Sequence, residues 1–250
     1  MSCHVRWIIA TVLGLVVGPS GALGQEQHLS PLAAEPFRND ARLWDVCLVD
    51  AEYGWAVGDR GVIRHTRDGG QTWRLQQSGV ETPLYAVAFV NREIGIAVGG
   101  QTHAYGQTSG AAVLLTRDGG RQWLPLRNSP LPILRRVGLF DARNGWAAGD
   151  ASAMYPSGVF LTADGGQSWR PLTGPSITSW LAADMLDPQT GALAGRKGVT
   201  AAVRRGETSP HQAGAFGLRG FQQLRLQPPT GGWLAAEGGL LLQTPDLGAS

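Results

Sequence analysis

One phrase returns along this chain and sets the limits on its fold. Gly54-Trp55-Ala56-Val57-Gly58-Asp59 recurs as Gly145-Trp146-Ala147-Ala148-Gly149-Asp150. Looser copies begin at Gly95 (Gly-Ile-Ala-Val-Gly-Gly), Gly191 (Gly-Ala-Leu-Ala-Gly) and Gly232 (Gly-Trp-Leu-Ala-Ala-Glu-Gly). Ahead of each copy lies an apolar or alternating run: Leu43 to Val49, Leu84 to Val90, Leu134 to Phe140, Trp180 to Leu186 and Phe221 to Leu226. Behind the first three comes a second phrase, Thr66-Arg67-Asp68-Gly69-Gly70-Gln71-Thr72-Trp73. It returns as Thr116 to Trp123 and as Thr162 to Trp169. Five units therefore start near residues 43, 84, 134, 178 and 221, in steps of about 41, 50, 44 and 43 residues. A unit of that size cannot bury its own apolar faces, so it must stack on its neighbours.

Each unit parses as four short strands. In the first they are Leu43 to Val49, Trp55 to Val57, Val62 to Thr66 and Thr72 to Gln76. Gly, Asp and Asn cluster in the connectors. No segment shows helical periodicity over a useful length, which excludes parallel α/β folds. The reading is an all-β propeller of about five four-stranded blades in this chain. Tyr85, Val87 and Phe89 are expected on one face of their strand, Ala86 and Ala88 on the other. Strands buried on both faces leave charge only for turns and rims. Composition agrees: charged residues are 16% of the chain and Gly is 36 of 250, against roughly 25% and 7% on average. A net charge of +2 gives no basic stripe for a nucleic acid.

Residues 1 to 24 read as a secretory signal: His4 and Arg6, then the apolar run Trp7 to Val17, then Gly18-Pro19 and the small residues Ala22-Leu23-Gly24. That run is too short to span a bilayer. The expected product is exported, periplasmic or extracellular. Residues 25 to 42 read as a linker or closing segment, and 43 to 250 as the repeats. Cys3 leaves with the signal, so Cys47 is expected without an intramolecular partner, as a small buried hydrophobe.

The Asp-Gly-Gly turn explains its own composition. The Asp carboxylate accepts hydrogen bonds from N–H groups ahead of it. The glycines supply positive φ. The Thr bonds back within the hairpin, and the Trp packs its ring between blades. This Thr-x-Asp-x-Gly-x-x-Trp pattern resembles the Asp-box, the bacterial neuraminidase repeat of sialidases and related propellers. The resemblance implies a structural place on the outer rim for Thr66, Asp68, Gly70 and Trp73, for Thr116, Asp118, Gly120 and Trp123, and for Thr162, Asp164, Gly166 and Trp169. Thr244, Asp246 and Gly248 begin a further box. The fourth unit has lost its box: Val203-Arg204-Arg205-Gly206 stands in its place.

Gly-Trp-Ala-Val-Gly-Asp followed by Thr-x-Asp-Gly-Gly-x-Thr-Trp within one blade resembles, more specifically, the photosystem II stability and assembly factor propellers and their relatives in non-photosynthetic bacteria. The resemblance runs from about residue 40 to 250. It implies an exported protein, lumenal in phototrophs, that is not an enzyme, takes no cofactor, and binds a membrane-protein subunit to assist its assembly or stability. It implies a seven-bladed ring with an Arg-rich contact patch. Against seven blades, five units and a stop at Ser250 inside a box read as a truncated ring.

Candidate contact residues are Arg135-Arg136 and Arg204-Arg205, as a basic patch for an acidic or polar partner segment. The alternative is that these are solvated charges. Tyr105 and Tyr155 join them, on insertions at Ala104 to Ala111 and Ser152 to Ser157 that are expected on one propeller face. The competing function is a secreted sialidase-like propeller that binds or hydrolyses glycans. Its chemistry is thinly supplied: Phe37-Arg38-Asn39-Asp40 only partly matches a sialidase arginine motif, and Tyr85 with Glu81 is the one Tyr–Glu pair of note. His28, His65, His103 and His211 show no metal-ligand spacing. No catalytic, cofactor or metal residue is assigned.

Overall fold

The computed structural model describes residues 40–102, 109–127, 129–176, 179–212, 220–228 and 231–246. Each sequence unit folds into one antiparallel sheet. Blade 1 is β1 (Leu43–Leu48), β2 (Gly54–Gly58), β3 (Ile63–Thr66) and β4 (Arg74–Gln76). Blade 2 is β5 (Leu84–Phe89), β6 (Gly95–Thr102), β7 (Ser109–Thr116) and β8 (Leu124–Pro125). Blade 3 is β9 (Leu134–Leu139), β10 (Gly145–Gly149), β11 (Val159–Thr162) and β12 (Arg170–Pro171). Blade 4 is β13 (Trp180–Asp187), β14 (Thr190–Gly195), β15 (Val199–Arg204) and β16 (Glu207–Gln212). Blade 5 is β17 (Phe221–Gln227), β18 (Gly231–Ala236) and β19 (Leu240–Thr244), three strands among the described residues. Strand order within every blade follows the chain. The first strands of all five blades line one central cavity, so the sheets stack as a propeller.

The inner strand of every blade slips register once near its start, at Trp44, Tyr85, Arg135, Leu181 and Gln222. Such a bulge re-aims one side chain. It corrects the alternation expected for β5: Leu84, Val87 and Phe89 share the buried face, and the bulge takes Tyr85 out of it. The bulge also accounts for the last glycine of the repeated phrase. A Cβ at Gly58, Gly99 or Gly149 would collide with the backbone carbonyl of Arg42, Pro83 or Ile133, which crosses directly over it.

Each blade offers two different faces. The leading face carries inner-strand residues that pack back on the preceding blade: Leu84, Val87 and Phe89 in blade 2, and Leu134, Val137 and Leu139 in blade 3. The trailing face carries the phrase itself. Trp55 of blade 1 is fully buried and stacks on Phe89, ring centroids 3.6 Å apart. Trp146 of blade 3 packs with Trp180, Ala183 and Met185 of blade 4. Such aromatic pairs add roughly 0.5–1.5 kcal/mol to the apolar area they bury. His65 stacks on Trp55 at 4.7 Å, buried as a packed residue. Cys47 is buried in the same cluster, as its apolar run implied. It is disulfide-bonded, which corrects the expected lone thiol; the chain's other cysteine lies outside the described residues. Residues 1–24, read as a signal, also lie outside them.

Candidate functional site: an arginine–aromatic row at the channel mouth

Antiparallel pairing sorts the turns between two propeller faces. The start of each inner strand lies opposite the end of the second strand, beside the connector to the third. The bulged residues therefore gather at one end of the blades, around the channel mouth. On blades 1 to 3 they are Trp44, Tyr85 and Arg135, and they touch in sequence. The Arg42 guanidinium carbon lies 3.9 Å from the Trp44 ring centroid. Trp44 and Tyr85 meet edge to face at 5.6 Å and 74°. The Arg135 guanidinium lies 5.4 Å from the Tyr85 ring. Trp44 keeps 40% of its surface exposed.

Polar bonds hold the row's ends. Trp44 Nε1–H donates to Asp59 Oδ1 at 2.7 Å, in the single-turn connector Asp59–Gly61 of blade 1. Arg135 donates from Nε to Asp150 Oδ1 at 2.9 Å and from Nη2 to Asp150 Oδ2 at 3.3 Å. Its Nε also reaches Ser179 Oγ, whose hydroxyl donates to Asp150. Arg135 thus ties the blade 3 connector to the entrance of blade 4, with a fifth of its side chain exposed. A cation, two aromatic rings and a second cation in line suit an extended peptide with a carboxylate or aromatic group.

Arg136 points elsewhere. It lies in the central cavity, donating from Nη1 to the Arg135 carbonyl and from Nη2 to the Gln222 carbonyl at 2.7 Å. Burial pushes its pKa down. Asp45, Asp184, Gln223 and Arg225 share the cavity. Burial pushes the Asp45 carboxyl up, opposed by the Val87 N–H and by the charge of Arg136. The space, about 60 Å³, takes a few water molecules.

The structure does not bring the two predicted Arg pairs together. Arg204 ends a third strand, opposite Thr190 at the start of the second strand. Arg204 and Arg205 therefore lie at the opposite end of the blades from Arg135. Arg204 donates from Nη2 to the Asp246 carbonyl at 3.2 Å, and Arg205 holds a positive φ of 53° in its turn. Tyr155 is on the row's face, half-buried, with its ring 5.3 Å from Phe160 in the core between blades 2 and 3. Tyr105 and most of its insertion lie outside the described residues, as does Gly248.

The boxes at Thr66, Thr116 and Thr162 share one hydrogen-bond pattern. In each, the Thr hydroxyl donates to the Asp carboxylate and accepts the N–H of the second box glycine: Gly70, Gly120 and Gly166. The Asp accepts the N–H of the residue four places on: Thr72, Gln122 and Ser168. Thr244 and Asp246 make the first of these bonds too. Among the described residues, no group of three or more His, Cys, Asp or Glu is placed to hold a metal.

A family model described as photosynthesis system II assembly factor YCF48 matches residues 27–130. Photosystem II assembly protein Ycf48 of Thermosynechococcus vestitus is 34% identical over 70 residues, which is 28% of this chain and 20% of that protein. The chloroplastic photosystem II stability/assembly factor HCF136 of Arabidopsis thaliana is 27% identical over 95 residues, 37% of this chain and 23% of its own length. The aligned segments thus span about a fifth of either relative. A solved structure of YCF48 bound to D1 peptide superposes with a TM-score of 0.62 and 22% identity, covering 82% of this chain and 63% of that one. The chain folds as a β-propeller and is similar to the photosystem II assembly factors over part of its length.

Arg42, Trp44 and Tyr85 were not singled out as contact residues by sequence reasoning. A signal was present: Trp44, Tyr85 and Arg135 each stand second in their inner strands, after Leu43, Leu84 and Leu134. Reading strict alternation through the strand start hid it, because a bulge at that position turns the residue outward.

Proposed function

We propose that this propeller is an exported, non-enzymatic module that binds a segment of a partner protein, a membrane-protein subunit, and assists its assembly or stability. The observation that carries the reading is the Arg42–Trp44–Tyr85–Arg135 row, on a fold shared with a D1-bound relative. Similarity to plant and cyanobacterial assembly factors supports the same role, and a lumenal place in a photosynthetic host. Arg136 supports the row from the cavity, while Arg204 and Arg205 serve the opposite face.

Titrating a fluorescent D1 peptide into the protein tests this by anisotropy. Arg42→Glu with Trp44→Ala weakens binding at least tenfold, about 1.4 kcal/mol, while Arg204→Glu with Arg205→Glu leaves it within twofold. Thermal melts of both variants track the parent. Absent binding, or binding indifferent to the row, overturns the reading. Turnover of a fluorogenic sialoside would establish the glycan-acting alternative instead.

A further inference from the structure

Among the described residues, His65 Nε2 is a buried side-chain atom without a hydrogen-bond partner. Buried polar atoms are nearly always paired, so an orphan calls for a reason. Cys47, Trp55, His65 and Arg74 are successive register partners across β1 to β4, and so share one face of blade 1. The His65 ring is 7% exposed. It stacks on Trp55 at 4.7 Å and 16°, and lies 5.8 Å from the Tyr53 ring. Trp55 in turn carries the seam with blade 2. It stacks on Phe89 and donates from Nε1 to the Gly119 carbonyl at 3.3 Å. The imidazole therefore backs the indole that joins two blades.

An N–H at Nε2 would find no acceptor in that stack either, and the surrounding charges do not supply one. On its own blade, Arg67 follows His65 on the box turn and Arg74 stands opposite it on β4. Cys47 of β1 is disulfide-bonded. From blade 2, Arg92 lies 3.8 Å over the Tyr53 ring, with Asp50 and Glu52 paired to it. Beside Gly119, the Asp118 carboxylate is engaged by the Thr116 hydroxyl and the Gln122 N–H, and Arg117 adds a further positive charge. The Trp55 face offers an imidazolium some cation–π attraction. Burial and the Arg67 charge nonetheless hold the His65 pKa below its ordinary value of 6.5. We propose that His65 is a proton-operated joint: neutral, it completes the stack between blades 1 and 2, and on taking a proton at Nε2 it slackens that seam. A histidine that folding keeps neutral withdraws stability as pH falls from its unfolded pKa down through its folded one. The joint therefore acts below pH 6.5, above the range in which the box aspartates titrate.

Denaturant unfolding of the full chain tests this, with His65→Phe as the variant, which keeps a flat ring in the stack and takes no proton. Between about pH 8 and 5, the unfolding equilibrium constant of the parent rises about fivefold more than that of the variant. At the alkaline end the variant is at least as stable as the parent, because it removes an orphaned atom. NMR of the parent gives a second measurement, which decides alone if the variant fails to fold. The His65 ring titrates below 6.5, and the Trp55 indole N–H signal moves with it. A variant with the full pH dependence of the parent overturns the proposal. So does a His65 ring that titrates at or above its ordinary value, one that stays neutral until the whole chain unfolds, or one whose protonation leaves the Trp55 signal unmoved.

Discussion

Blades 1 to 3 and blade 4 close the same outer hairpin by different chemistry. In the first three, the outer ladder is short: three residue pairs between β3 and β4, and two each between β7 and β8 and between β11 and β12. Side chains do the closing, through the Thr–Asp–Gly bonds and the box Trp. Blade 4 has no box. Its β15–β16 ladder runs six pairs, from Val199 with Gln212 to Arg204 with Glu207. Its turn is two residues, Arg205 and Gly206, with φ of 53° and 78°, the signature of a type I′ hairpin whose twist matches the strands. One solution spends side chains on a wide turn and keeps the outer strand short. The other uses a tight turn and extends the backbone ladder. The box is thus one way to finish a blade and not a condition for having one.

The box also reaches outside its own blade, and the largest expected effect tests that. Trp123 is 6% exposed, meets Phe89 edge to face, and donates to Gln76 Oε1 of blade 1. Gln76 Nε2 donates to the Gly119 carbonyl in return. Trp123→Ala opens a cavity between blades 1 and 2 and leaves Gln76 Oε1 without its donor. It should cost about 3–5 kcal/mol, read by denaturant unfolding. The outer hairpin of blade 4, β15 and β16 with the turn between them, carries no tryptophan whose removal could match it. A loss under 1 kcal/mol would mean the box serves only its own turn. Next in size is Thr162→Val. Thr162 is 5% exposed, and its hydroxyl accepts the Gly166 N–H at 2.9 Å. The isosteric change leaves that amide unsatisfied and should cost about 1–3 kcal/mol. In blade 4, Thr208→Val removes only a 3.4 Å bond to the Thr173 carbonyl and should cost less, by the same unfolding assay.

What was legible beforehand was whatever repeats. Unit spacing, inner strands and the three boxes are periodic, and periodicity survives without knowledge of packing. Three kinds of feature were not legible. The bulges at Trp44, Tyr85 and Arg135 break alternation by one residue, too small a slip to see in hydropathy, yet they move those side chains from core to mouth. The placing of Arg135 and Arg204 on opposite faces depends on which end of which strand each occupies, a matter of pairing and not of spacing. The closure that replaces the fourth box was not legible, because a turn that works through backbone φ values leaves Gly206 as its one mark in the sequence.

The smallest effect separates the two hairpin chemistries by pH. Bonds from Thr72 and Thr66 hold the Asp68 carboxyl well below its ordinary value of 3.8, to about 2. The Gln122 N–H lowers the Asp118 carboxyl against burial, and at Asp164, where burial pushes the carboxyl up, the Ser168 and Thr162 bonds together outweigh it and hold it below its ordinary value. A carboxylate whose folded pKa is depressed adds stability that is complete above its unfolded pKa and disappears as pH falls through the folded one. The boxes should therefore loosen between about pH 4 and 2. These carboxylates are near the surface, so each contributes little and the blades themselves should survive their protonation. The blade 4 turn closes through the positive φ of Arg205 and Gly206, and the Gly206 N–H donates to the backbone carbonyl of Gln189 and not to a carboxylate. Amide proton shifts of Gly70, Gly120 and Gly166, followed by NMR through that window, should move with the carboxylates, while that of Gly206 stays fixed. Parallel movement of all four would show that acid loosens the blades as a whole, and the contrast between side-chain and backbone closure would be lost.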